Sequence, residues 1–208
     1  LALEALKLGK HVILDKPICT SLSDLDLIEE ESRKRGLSVG CMLNNRDSGI
    51  FRALKRLIAE GTVGDIHTIS FLGHHPLLYG TRPSWYFEEG KHGGTINDIA
   101  IHAIDLIPWL TGKKLDQITG ARVWNSRLPE HPNFQVGAQM MLSLEGGAGV
   151  VGDVSYLSPD SQGYTIPQYW RYTIHGSSGI LEGGINLPDI QVWADGKEQP
   201  YGVPADKE

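Results

Sequence analysis

The sequence has few cysteines and no long apolar run, and each shortage excludes a class of protein. Its two cysteines, Cys19 and Cys41, are too few for a disulfide framework. Both lie in apolar segments, so we expect buried thiols in a reducing compartment, the cytoplasm. No apolar stretch is long enough to span a bilayer, and no signal peptide is recognisable at the start. The sequence therefore predicts neither a secreted disulfide-rich protein nor a membrane protein.

Positive charge is also scarce. The chain has 19 Lys and Arg residues against 25 Asp and Glu residues, a net charge of −6. Because the basic residues are scattered as well as outnumbered, we expect no nucleic-acid partner. The 25 glycines and 11 prolines are spread along 208 residues without an internal repeat. This distribution is typical of a loop-rich globular protein.

The pattern of the first quarter of the chain predicts an α/β unit. Helical patterns over 1–8 and about 20–35 alternate with two apolar, strand-like runs at 11–14 and 37–43. Such runs are typical of buried parallel strands. Asp15, Lys16 and Pro17 follow the first strand, and Arg46 follows the second. Open α/β sheets bind ligands at these carboxyl ends, so the sequence predicts a binding edge here.

The remainder of the chain is richer in strands. We predict a helix over 48–60, a strand over 66–72, a long loop over 74–91 and a helix over 93–112. A strand is predicted at about 134–144, where an apolar residue recurs at every second position from Val136 to Leu144, a period near two. Further strands are predicted at about 116–126, 148–157, 169–175, 179–183 and 189–194. This part should form a mostly antiparallel sheet flanked by helices.

The helix that begins after Gly93 and Gly94 carries the strongest candidate for catalysis. Asp98 and His102 are spaced i, i+4, so a regular helix would place them on one face. A carboxylate one turn before an imidazole can orient it as a general base. The alternative is a core histidine with an acidic residue near the helix N-terminus. A metal site is disfavoured because no third ligand accompanies the pair.

Three other features each have a structural and a functional interpretation. Lys16 is either a solvated lysine or a functional one at a strand end. Arg82, Trp85 and Tyr86 either pack the long loop or bind a sugar by stacking and hydrogen bonding. The run over 147–152 matches G-x-G-x-x-G, but it lies in a predicted β-hairpin and opens no helix. We therefore reject it as a phosphate-binding loop, and no other such loop is present.

Taken together, three stretches resemble the Gfo/Idh/MocA family of NAD(P)-dependent oxidoreductases. Residues 5–17 are similar to the family signature A-L-x-x-G-K-H-V-x-x-E-K-P, with Asp15 where Glu is usual. Residues 57–66 are similar to I-x-x-G-x-I-G, and residues 93–102 match G-G-x-x-x-D-x-x-x-H. Their order and spacing agree across nearly the whole chain.

The resemblance implies the end of a Rossmann domain over 1–46 and an α+β substrate domain over 47–208. The substrate domain is expected to have an open, mainly antiparallel sheet, which in this family often forms an oligomer interface. The family's first strands and glycine loop would lie before Leu1, where the chain begins in a helical pattern without Met or a cap. We therefore expect a fragment, truncated at both ends and inactive by itself, from a homo-oligomeric protein.

The resemblance also implies roles. Lys16, Asp98 and His102 correspond to the catalytic residues, with Asp98 and His102 also touching substrate. Asp15, Lys16, Pro17 and Arg46 fall where the family approaches NAD or NADP, often with a cis bond before the proline. His102, whose unperturbed pKa is ~6.5, would take the alcohol proton, Asp98 would orient it, and Lys16 would stabilise alkoxide charge.

The expected reaction is hydride transfer between NAD(P) and a hydroxyl-bearing carbon of a sugar, cyclitol or related polyol. Two alternatives stay open. Some relatives hold NAD tightly and hydrolyse glycosides through transient oxidation, so NADH would not accumulate. An inactive, truncated scaffold or interaction module is the other.

Overall fold

The computed structural model describes residues 1–207, which form two compact units divided between Asn44 and Asn45. The division falls two residues before the domain boundary expected from the sequence. No helix within residues 1–207 combines the length and apolar character needed to cross a bilayer. The assignment of the two units to a Rossmann remnant and a substrate domain stays a prediction.

The first unit alternates helices and strands. Its elements are α1 (Ala2–Lys7), β1 (Val12–Leu14), α2 (Leu22–Arg35) and β2 (Val39–Cys41). Ser21 caps α2 by accepting a hydrogen bond from the Asp24 amide, and Gly36 ends it in a left-handed conformation. The strands pair in parallel, with Val12 opposite Val39. The predicted helix–strand order and parallel pairing are confirmed.

The predicted burial of these strands is wrong for this chain. Ile13 in β1 is 78% exposed, and all three residues of β2 are only partly buried. Cys19 and Cys41, expected to be buried thiols, are likewise only partly buried. The physical reason is that two short strands and two helices leave one side of each strand without a covering layer.

The second unit is built on one eight-stranded sheet. Its strands are β3 (Ile66–Pro76), β4 (Leu115–Trp124), β5 (Gly137–Leu144), β6 (Gly149–Ser158), β7 (Arg171–Gly176), β8 (Gly179–Gly184), β9 (Asp189–Ala194) and β10 (Tyr201–Pro204). They lie in the order β10-β9-β8-β7-β3-β6-β5-β4. Only the central β3–β6 pair is parallel, and all other neighbours are antiparallel. The expected open, mainly antiparallel sheet is confirmed.

Strand β3 and strand β10 differ from the sequence prediction. β3 continues to Pro76, so His74 and His75 lie on a strand rather than in the predicted loop. Pairing with β6 extends β3 this far, since His74 lies opposite Ser155. β10 was not predicted, because Tyr201–Pro204 is short and contains a glycine and a proline.

The core lies between the sheet and two helices, α3 (Gly49–Ala59) and α4 (Ile101–Thr111). Burial alternates along β5: Ala138, Met140 and Leu142 are buried, while Met141 is exposed. This confirms the predicted period of two and leaves the other sheet face uncovered within the described residues. A turn with positive φ at Gly146 and Gly147 joins β5 to β6. The 147–152 run is therefore part of a β-hairpin, as the sequence indicated.

Candidate active site

The helix that carries Asp98 and His102 begins with an unusual turn. Gly93 and Gly94 both have positive φ, at 82° and 90°, as their glycine identity suggested. The Thr95 hydroxyl then donates to the Gln135 carbonyl, which anchors the start of the helix. Ile96–Ala100 is a π-helical turn, and α-helical geometry begins only at Ile101. The regular i, i+4 face expected from the sequence is therefore replaced by a wider turn, a feature that is frequent at functional sites.

Asp98 lies in a cluster of hydrogen-bonding side chains. Its Oδ2 accepts a hydrogen bond from the Tyr86 hydroxyl at 3.1 Å and another from the Tyr156 hydroxyl. The Tyr156 oxygen also lies 2.9 Å from the Tyr86 oxygen and 2.9 Å from His92 Nε2. His92 Nε2 is 3.6 Å from Asp98 Oδ2. The carboxylate is thus held by phenols from two different parts of the second unit.

Both phenols remain hydrogen-bond donors at neutral pH. Burial raises the pKa of Tyr86, and the negative charge of Asp98 raises it further. The same two causes, in the same order, raise the pKa of Tyr156 well above its ordinary value. Since an ionised phenol beside a carboxylate is unfavourable, both hydroxyls keep their protons and donate them.

His102 lies on α4 in aromatic surroundings. The residue is 8% exposed, and its ring meets Trp170 edge-on with centroids 5.3 Å apart. His75 on β3 contacts the same indole at 5.6 Å and the Tyr156 ring at 6.4 Å. The aromatic rings therefore connect the surroundings of His102 with the Asp98 cluster.

Trp170 takes a position that few residues tolerate. Its φ is +53°, and non-glycine residues in this region are concentrated at functional sites. The indole packs over Gly73, where an added Cβ would lie 2.8 Å from the ring. A glycine in β3 is thus required for the indole that contacts His102.

Of the predicted substrate residues in the long loop, Tyr86 belongs to the Asp98 cluster and Arg82 lies against the Tyr86 ring. Arg82 Nε donates to the Leu77 carbonyl at 2.9 Å, and Nη2 donates to the Tyr164 hydroxyl at 3.3 Å. Its guanidinium carbon lies 5.0 Å from the centre of the Tyr86 ring. Trp85 is different, because it is 48% exposed and contacts the Tyr86 ring edge-on. These contacts bring loop residues to Asp98 and leave their substrate role a prediction.

The predicted cofactor residues are placed as follows. Asp15 accepts a hydrogen bond from the Lys16 amide at 2.8 Å, and the Lys16–Pro17 bond is cis, as the resemblance implied. Both follow β1 at its carboxyl end. Arg46 lies in a short 3₁₀ helix, Asn44–Asp47, and forms an ion pair with Asp105 on α4. Within residues 1–207, no group of three or more His, Cys, Asp and Glu side chains is arranged to bind a metal ion.

Three residues of this site were not assigned from the sequence. His75 and His92 fall at the two ends of the sequence-predicted 74–92 region, and nothing in the sequence indicates where their side chains point. Tyr156 gave no signal, because it reaches Asp98 only through the pairing of β6 with the centre of the sheet. A histidine directly before the Gly93-Gly94 pair was the one local clue available.

Comparisons with known proteins agree with this architecture. The sequence profile of the GFO/IDH/MocA C-terminal domain matches residues 51–182. The scyllo-inositol 2-dehydrogenase (NADP(+)) of Bacillus subtilis is 28% identical over 202 residues, which cover 93% of this chain and 54% of that protein. The inositol 2-dehydrogenase of Ralstonia nicotianae is 30% identical over 192 residues, which cover 91% of this chain and 51% of that protein. The chain thus spans about half the length of both relatives.

Solved structures show the same fold. An oxidoreductase from Thermotoga maritima superposes with a TM-score of 0.87 at 28% identity, covering 99% of this chain and 61% of that one. An inositol dehydrogenase homologue from Azotobacter vinelandii, complexed with NAD⁺, superposes with a TM-score of 0.81 at 18% identity, covering 97% and 53%. The family profile matches more than half of this chain. The chain therefore belongs to the Gfo/Idh/MocA family.

Proposed function

We propose that the protein is an oxidoreductase that transfers a hydride between NAD or NADP and a hydroxyl-bearing carbon of a sugar, cyclitol or related polyol. The observation that carries the proposal is the Asp98–His102 turn. It places a carboxylate with two phenol donors about one helical turn before an imidazole among aromatic rings. Relatives with this domain are named as inositol dehydrogenases, which supports a polyol substrate.

The surroundings of Asp98 suit a polyol. Polyol recognition needs closely spaced hydrogen-bonding groups and apolar ring faces. Tyr86, Tyr164 and Arg82 supply such groups, while His75 and Tyr164 supply aromatic rings. In the proposed reaction, His102 takes the proton from the alcohol oxygen as general base. Asp98 orients the imidazole and balances the charge that it acquires.

We propose that the predicted cofactor residues contact the nicotinamide end of NAD or NADP. The support is the turn at Lys16 and Pro17, which follows the carboxyl end of a parallel strand, the place where α/β sheets bind ligands. When bound, the nicotinamide accepts or donates the hydride. Asp15, Lys16, Pro17 and Arg46 are the proposed contacts, and Lys16 also hydrogen-bonds the reacting oxygen. These four assignments rest on the motif.

We also propose that the protein forms a homo-oligomer in the cytoplasm. Support for the oligomer is the outer sheet face, where Met141 and Val151 are exposed opposite each other on β5 and β6. They line a shallow hollow of about 500 Å³ together with Gln139, Asp153 and Arg122. A second copy of this face would cover these side chains.

The function is tested by following NADH or NADPH absorbance with inositols and monosaccharides, using the intact protein. We expect reduced cofactor to accumulate with at least one substrate. His102→Ala should lower kcat by about 10² or more, with cofactor affinity unchanged. The matched control is His67→Ala, because His67 is an exposed histidine on β3. Equal turnover in both variants, or no accumulation of reduced cofactor, would contradict the proposal.

A further inference from the structure

The hydrogen bonds around Asp98 form a chain that can be assigned a direction. Four groups meet here from separate segments: Tyr86 from the 3₁₀ helix Ser84–Phe87, His92 from the loop, Asp98 from the π turn and Tyr156 from β6. Tyr156 is fully buried, and the His92 and Asp98 side chains are 8% and 15% exposed. Bulk water is therefore a minor competitor for these hydrogen bonds.

The direction follows from counting protons. A phenol has one proton to donate, and the Tyr156 hydroxyl is within hydrogen-bonding reach of the Asp98 carboxylate. A carboxylate is also the strongest acceptor within reach, since bonds to an ionised acceptor are about twice as strong as neutral ones. Tyr156 therefore donates to Asp98 and cannot donate to His92. The remaining contact, 2.9 Å between His92 Nε2 and the Tyr156 oxygen, requires that Nε2 carries a hydrogen and donates it.

Tyr86 completes the arrangement without changing its direction. Its single proton lies within reach of Asp98 Oδ2 at 3.1 Å and of the Tyr156 oxygen at 2.9 Å. Either choice leaves Tyr156 as a donor to the carboxylate. The aromatic packing also limits movement, because the Tyr156 ring contacts Phe134 at 5.5 Å and the Tyr86 ring at 6.2 Å.

We infer that Tyr156, itself oriented by a hydrogen bond from His92 Nε2–H, is the positioning residue for the Asp98 carboxylate. By occupying Oδ2, it sets the rotation of the carboxyl group and therefore the direction of the second oxygen. The inference rests on the proposed function only for the importance of Asp98 to turnover. The hydrogen-bond chain itself is a property of the second unit.

The direct test is the tautomer of His92, measured by nitrogen NMR on the full chain labelled with ¹⁵N-histidine. The His92 signals are identified by their loss in His92→Gln. At neutral pH we expect Nε2 to carry a hydrogen in the wild type. In Tyr156→Phe the preference for Nε2–H should weaken, whereas Tyr201→Phe, which alters an exposed tyrosine on β10, should leave it unchanged. A wild-type His92 with an unprotonated Nε2 would overturn the inference.

A kinetic test separates positioning from folding. In the intact protein, Tyr156→Phe keeps the ring packing and removes the hydroxyl, so kcat should fall by about tenfold while KM stays within about twofold. Tyr201→Phe should keep both constants. A Tyr156→Phe enzyme with unchanged kcat would overturn the inference. The two failures can be told apart. If the intact protein shows no NAD(P)-dependent turnover, the proposed function fails, but the His92 tautomer still tests the hydrogen-bond chain.

Discussion

The guanidinium of Arg46 binds the carboxylate of Asp105 with two donors. Its Nε lies 2.7 Å from Oδ2, and its Nη2 contacts Oδ1. Nη2 also reaches the Asp105 carbonyl at 3.5 Å. The pair joins the 3₁₀ helix Asn44–Asp47 to the middle of α4, the helix that carries His102. Arg46 therefore has a structural contact in addition to the cofactor contact that we propose.

These two roles predict different effects of substitution. Asp105→Asn and Arg46→Met both break the ion pair and should each lower the free energy of unfolding by about 0.5–1 kcal/mol, a modest value because the Arg46 side chain is well exposed. Urea unfolding measures this change. If Arg46 also binds the cofactor, only Arg46→Met should raise the Kd for NAD or NADP in the intact protein. Equal cofactor affinity in the two variants would remove Arg46 from the cofactor site.

The exposed indole of Trp85 offers a test of the predicted sugar contact. Trp85→Ala should raise KM for the polyol by about two- to tenfold with kcat unchanged, since aromatic contacts contribute about 0.5–1.5 kcal/mol. Trp193→Ala is the matched control, because Trp193 on β9 is 40% exposed against 48% for Trp85. A KM that is the same in both variants would assign Trp85 to loop packing.

Local signals in the sequence predicted most of the fold. Ser21 and Gly36 bound α2 because a cap and a left-handed glycine act over a few residues. The alternation in β5 reports one covered face and one open face. The burial of β1 was mispredicted, because an apolar run shows that a strand can be covered and does not show what covers it. Ile13 illustrates this limit.

The site was predictable only in part, for a physical reason. Asp98 and His102 stand out by their spacing, whereas Tyr156 and His75 reach the site through pairing between strands that are distant in sequence. Strand register is a tertiary property, and no window of residues contains it. The π turn was also missed, since Ile96–Ala100 has the composition of an ordinary helix.

The outer sheet face predicts a self-association that one charge should disrupt. Val151→Asp places a carboxylate beside Met141, its cross-strand neighbour, and burying that charge against a second copy would be costly. In analytical ultracentrifugation we expect the wild type to sediment as an oligomer and Val151→Asp to sediment as a monomer. Leu27→Asp is the control, because Leu27 on α2 is similarly exposed but lies outside the sheet. An unchanged oligomer in Val151→Asp would place the interface elsewhere.

The buried hydroxyl of Tyr172 offsets part of the stabilisation that its ring contacts provide. Within residues 1–207 this hydroxyl has no hydrogen-bond partner, while its ring packs on Phe51 and Phe71 at 5.3 and 5.9 Å. Tyr172→Phe keeps both ring contacts and removes an unsatisfied polar group. It should therefore raise the free energy of unfolding at pH 7 by about 1 kcal/mol, measured in urea. Tyr201→Phe, at an exposed tyrosine, should have little effect.

The same substitution should change the response to alkali. Burial, and then the charge of Asp105, raise the pKa of Tyr172 above its ordinary value of 10. Above pH 10 the unfolded chain releases this proton while the folded chain retains it, so the folded state binds more protons and stability falls as pH rises. Tyr172→Phe should remove one proton from this dependence, which flattens the slope by about 1.4 kcal/mol per pH unit. A slope identical to that of the wild type would contradict a raised pKa for Tyr172, and a loss of stability at pH 7 would mean that the hydroxyl finds a partner in solution.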